Sequence, residues 1–142
     1  MNHDEFVGQV QARARLGSRG DAERIIRATL ETLAERLDPG FADNLAAQLP
    51  QEIGRHLLTD VSFERLSLDD FFRRVAAREG GSTELPDAVF HARCVMEVLQ
   101  LAVTPGLVEK LHEVLPAEFE PLLEGSAGRL ERGAGSQPAR TG

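Results

Sequence analysis

The side chains of this sequence best suited to chemistry are few, and each lies at a helical spacing. Glu109-Lys110-Leu111-His112 is a Glu-x-x-His, the i, i+3 arrangement by which helical di-iron proteins put a carboxylate and an imidazole on one face. Such a centre takes two of these motifs plus further glutamates. The related stretch earlier in the chain, Asp43-Asn44-Leu45-Ala46, has no histidine at the matching place. Glu109, His112 and Glu113 therefore read as an exposed polar face, and no metal is expected. His91 and Cys94 are also three apart. A Cys–His nucleophile needs an orienting third group and an oxyanion donor, and no Gly-rich nucleophile turn accompanies this pair. His91 and Cys94 read as packing, with His91 placed to line a pocket or to titrate near neutral pH. Gly17-x-x-Gly20 and Gly80-Gly81 lack the preceding strand and the following lysine or third glycine of a phosphate loop. Chemistry of this kind points to a binding protein without cofactor rather than an enzyme.

Two charged pairs at i, i+4 stand out because they occur in parallel contexts: Arg27/Glu31 and Arg93/Glu97. One reading makes them solvated pairs worth a few tenths of a kcal/mol, with Arg before Glu in the less favourable order. The other makes them two related Arg anchors for an acidic partner.

The totals exclude further classes. The chain has 142 residues and a net charge of −7, with no Trp or Tyr. Residues 59–124 hold thirteen acids against six bases. A nucleic-acid binder shows a basic field and uses aromatic rings for stacking, so DNA and RNA are not expected partners. No apolar run reaches the roughly 18 residues of a membrane span. The lone Cys94 and the start "MNHDEFVGQV", without basic or apolar leader regions, point to a reducing cytoplasm. The single Lys110 against fifteen arginines suggests a GC-rich bacterial source.

The elements that must position these residues are helices. Apolar residues recur at 3.6 spacing, and no alternating pattern persists. Phe6, Val7, Val10 and Ala14 mark a first helix ending near Leu16-Gly17. Ser18-x-x-Asp21 caps a second, with a stripe through Ile25, Ile26, Leu30, Leu33 and Leu37. Asp38-Pro39 stops that helix and starts a third, which buries Ala42, Leu45 and Leu49. Pro50 opens a fourth, with Glu52 in its first turn and Ile53, Leu57 and Leu58 facing inward. After a connector at 59–66 the series restarts at Ser67-x-x-Asp70 and reaches a second long helix at about 84–103. "DPGFADNLAAQLPQE" at 38–52 is echoed by "TPGLVEKLHEVLPAE" at 104–118, an offset of 66. At that offset about a third of residues 21–57 match 87–123, among them Asp21/Asp87, Leu33/Leu99, Leu45/Leu111 and Pro50/Pro116. The expectation is an all-α chain of two tandem repeats, about 3–58 and 67–123. Each has about four short helices, and the two pack as one compact pseudo-twofold domain over 1–124. A tail at 125–142, rich in Gly and poor in apolar residues, is expected to be disordered.

The phrases "DEFVGQVQARARL", "AERIIRATLETLAERL", "LAAQLPQE", "DDFFRRVAAREG" and "LPAEFEPLL", in that order, resemble the bacterial family catalogued as domain of unknown function 2267. The resemblance covers roughly residues 2–124. It implies a small, soluble, all-helical bacterial protein and brings no activity, cofactor or catalytic residue.

The second long helix is apolar most of the way round. Ala88, Ala92, Val95, Met96, Leu99 and Val103 form its main stripe, and Cys94, Val98, Leu101 and Ala102 widen it until Arg93, Glu97 and Gln100 remain polar. In the first repeat the positions matching Val98, Leu101 and Ala102 are Thr32, Glu35 and Arg36, which water would accept. The second face is therefore either buried at the centre of the chain or a seam for a homodimer or protein partner. The functional expectation is a non-enzymatic interaction or regulatory module, with Val98, Leu101, Arg27, Glu31, Arg93 and Glu97 as candidate interface residues. The alternative is a small-molecule binder with an apolar pocket between the repeats near His91. A metal-dependent enzyme is the least supported class.

Overall fold

A computed structural model describes residues 1–124, all helices, turns and connectors, with no strand among them. The expected tail, and the expected domain end near Glu124, involve positions 125–142, which lie outside the described residues. Helix α1 spans His3–Arg13, α2 Arg19–Arg36, α3 Pro39–Ala47 and α4 Gln51–Gly54, the last continuing as a 3-10 turn, Arg55–Leu57. Then come α5 at Leu68–Glu79, α6 at Leu85–Ala102, α7 at Pro105–Val114, a 3-10 turn at Ala117–Phe119, and α8 at Glu120–Leu123. The two 18-residue helices, α2 and α6, begin 66 positions apart, at Arg19 and Leu85.

The caps follow from side-chain chemistry. Ser18 Oγ accepts from the Asp21 amide at 3.1 Å, and Ser67 Oγ from the Asp70 amide at 3.0 Å. Asp38 accepts from the Gly40 and Phe41 amides, and Thr104 from that of Leu107. Each satisfies helix N–H groups that have no intrahelical acceptor, worth about 1 kcal/mol. Helix α1 ends differently from expectation. It stops at Arg13, short of the expected Leu16-Gly17, because Arg15 takes the left-handed conformation at φ 55° and the Leu16 amide reaches back to the Gln11 carbonyl at 3.0 Å. The α5–α6 turn does use glycine, with Gly80 at φ 85° and Gly81 at φ 59°.

Helices α2 and α6 run through the centre and pack on each other. α1 lies against both, and so does α5. One hydrophobic cluster joins all of them: Phe6 and Val10 from α1, Ile25 and Leu33 from α2, Phe71 and Val75 from α5, Met96 and Leu99 from α6. Phe71 meets Phe72 and Phe119 edge-on, with centroids 6.0 and 5.9 Å away.

Two expectations need correction. Leu58 does not face inward; it is 57% exposed. The helix tightens into a 3-10 turn at Arg55–Leu57, and a residue after that turn no longer follows the 3.6 stripe. Nor do Thr32, Glu35 and Arg36 face water: all three are buried. The connector crosses them, with the Glu64 amide donating to the Glu35 carbonyl at 2.7 Å and the Leu66 carbonyl accepting from Arg36, while α5 supplies the arginines that pair with Glu35.

Candidate functional site

The polar layer between α2 and α5 is the most highly bonded feature. Arg78 grips Glu35 through two N–H donors at 3.0 and 2.8 Å, and Arg74 adds a third at 3.1 Å. Arg78 also donates to Thr32 Oγ1, which donates onward to the Ala28 carbonyl. The Arg78 contact, supported by Arg74, holds the Glu35 carboxyl below its ordinary range despite burial. Next to it, Arg36 Nε donates to the Leu66 carbonyl at 3.0 Å, and its guanidinium lies over the Phe63 and Phe119 rings. Burial, together with the positive Arg65 nearby, pulls the Arg36 pKa down, against the pull of Glu118. These bonds are satisfied internally and fasten the connector, so the layer reads as structural.

The helical-pair residues do not pair within their own helices. Glu31 lies 3.7 Å from Arg78 of α5, and Glu97 lies 3.2 Å from Arg13 of α1. Arg27 is exposed, and the buried Nε of Arg93 has no hydrogen-bond partner among the described residues. His91 Nδ1 sits 2.9 Å from a Glu79 carboxylate oxygen that is buried under it, and its ring lies 6.2 Å from that of Phe90. Cys94 is fully buried. Burial, reinforced by Glu97, pushes its thiol up to about 12, so it does not act as a nucleophile near neutral pH.

His112 uses both ring nitrogens, 3.1 Å from Gln100 Oε1 and 3.3 Å from Glu120 Oε2, while Glu109 is exposed. Among the described residues no group of three or more His, Cys, Asp and Glu side chains could hold a metal ion. Around His112 an open groove of about 500 Å³ is lined by Arg13, Glu97, Gln100, Leu101 and Glu120. Leu101 is 58% exposed there, whereas Val98, one turn earlier, is fully buried in the chain's own core. Of the four residues that widen the apolar face of α6, Cys94 and Val98 are buried, Ala102 is half-buried and Leu101 is exposed.

A second cavity, of about 390 Å³, lies between α1, α2 and α4 and is lined in part by Arg27, Arg55 and His56. Arg55 and His56 received no role from the sequence. The signal that could have drawn notice is Gly54, where an added Cβ would sit 2.7 Å from the Ala46 carbonyl oxygen.

Over the described residues these features define an all-helical protein with a polar layer, surface cavities that include the two above, and no helix long and apolar enough to cross a membrane. The chain belongs to the family described as uncharacterized conserved protein (DUF2267), which matches residues 3–122. No curated protein matches it.

Proposed function

We propose that the protein is a non-enzymatic interaction module of a bacterial cytoplasm, and that the C-terminal end of α6 receives its partner, a second copy or another protein. The observation that carries this reading is the contrast between Leu101 and Glu35. At these matching positions Glu35 is covered by the connector and α5, whereas Leu101 stands 58% exposed beside an open groove. A large apolar side chain there gains from being covered.

The reading includes an internal duplication with pseudo-twofold packing. Two reciprocal ion pairs support it: Arg13 of α1 reaches Glu97 of α6, and Arg78 of α5 reaches Glu31 of α2. Arg13 and Arg78 are 65 positions apart, and Glu31 and Glu97 are 66 apart. Exchange of partners between matching positions is what a twofold relation between two copies produces. A ligand pocket between the repeats at His91 has less support, because the Glu79 carboxylate already engages that imidazole.

The test is Leu101→Glu in the full chain. Its helical signal and melting temperature should stay near those of the parent, while the dimer or partner complex is lost in light scattering and affinity capture. Val98→Glu is the contrasting control, expected to unfold the chain. A Leu101→Glu protein that keeps both its oligomeric state and its partners overturns the reading.

A further inference from the structure

The cavity between α1, α2 and α4 collects cations that the rest of this acidic chain leaves without counterions. Its nearby carboxylates mostly have other partners, two of them, His3 and Arg24, on the cavity wall itself. Asp21 binds Arg24 at 3.0 Å, Glu23 lies 3.8 Å from His3, and Glu31 is drawn to Arg78. Glu52, in the first turn of α4, is the remaining lining carboxylate and is exposed. Arg27 from α2 and Arg55 from the turn after α4 form no ion pair within 4 Å among the described residues, and both line the cavity with the partly buried His56.

Their placement is fixed by the backbone. Gly54 lets α4 approach α3 so closely that an added Cβ would come within 2.7 Å of the Ala46 carbonyl, and the 3-10 turn that follows, with Arg55 and His56, packs on α2. Burial first, and then the positive Arg55, holds the His56 imidazole below its ordinary range. Arg27 acts in the same direction and Glu31 opposes it. Three arginines, Arg24, Arg27 and Arg55, thus line the cavity with His56 against two carboxylates, Glu23 and Glu52, an excess of positive charge. Guanidinium forks match the oxygens of phosphate, and about 390 Å³ is within the range of small-molecule sites.

We propose that this cavity is a binding site for a small phosphate-bearing molecule, with Arg27 and Arg55 as charge partners and His56 as a third donor. The site is specific to the first half of the chain, since the positions matching Arg55 and His56 are Pro121 and Leu122. A bound anion favours the imidazolium, so His56 reports occupancy directly.

The experiment follows the imidazole resonances of His56 in the full chain by NMR while inorganic phosphate is added, with chloride at matched ionic strength as the reference. Expected are a saturable shift with phosphate and an upward move of the His56 titration midpoint, neither of which chloride reproduces. Arg27→Gln and Arg55→Gln should each weaken the apparent affinity about tenfold, the loss of one charge-assisted hydrogen bond. Both residues are exposed, so the variants should keep the parent melting temperature. Should either fail to fold, the wild-type midpoint decides alone. A His56 response that is linear in phosphate and equal to that in chloride, or one unchanged in the folded double variant, overturns the proposal.

Discussion

Glu35 shows how far one residue's setting departs from its type. A glutamate near the end of a helix reads as solvated, yet this one is buried under two arginines from α5 and a backbone amide from the connector. Its depressed pKa has a definite consequence. The interaction contributes in full above the ordinary value of 4.5 and is lost as the pH falls below it through the lower folded value. Glu35→Gln should therefore cost about 1–3 kcal/mol at neutral pH and flatten the loss of stability below pH 4.5. Denaturant melts of both proteins across pH 3–7 check this, and parallel curves would show that Glu35 does not set the acid limb. The residues that act locally were legible: Ser18, Asp38, Ser67 and Thr104 cap the helices that follow them. Those that act across the fold were not. Glu31 and Glu97 find their arginines on α5 and α1, because each long helix turns its charged positions toward the helix that crosses it. Spacing within one helix cannot reveal that choice.

Elements meet where their backbones allow it, and glycine marks two opposite cases. Gly54 lies at the α3–α4 contact, where a Cβ would come within 2.7 Å of backbone, so something must shift. Gly8 lies inside α1 with nothing within 4 Å of the same added atom. Gly54→Ala should destabilise by about 1–3 kcal/mol through overpacking. Gly8→Ala should stabilise by about 0.5–1 kcal/mol through helix propensity. Thermal melts of the two variants should move in opposite directions, and a Gly54→Ala protein at least as stable as the parent would mean that the α3–α4 approach is not fixed. The long helices were legible almost to the residue, since Leu85–Ala102 falls within the expected 84–103. The short ones were less so. α4 gives way to a 3-10 turn after four residues, and its stripe fails at Leu58, because helices of one turn are shaped by their contacts rather than their period.

At the scale of the whole molecule, the chain folds by crossing. α1 precedes α2 in sequence but also covers α6, and α5 precedes α6 but also covers α2. Phe6, Ile25 and Leu33 from the first half share one cluster with Phe71, Met96 and Leu99 from the second. Separated halves would each expose half of that cluster, and a unit of about 60 residues buries too little surface to be more than marginal. The fragments 1–66 and 67–142 should each show weak helicity and no cooperative melt. Mixed in equal amounts, they should recover the helical signal and a sigmoidal transition, because the surfaces that close the core are complementary between them. The ion pairs Arg13–Glu97 and Arg78–Glu31 both span the cut, so charge reversal of Arg13 and Arg78 together should weaken reassembly more than either change alone. Circular dichroism of the separate and mixed fragments makes the measurement. If either fragment melts cooperatively by itself, its core closes without the other half, and the two halves are independent units joined by a linker rather than one structure built from both.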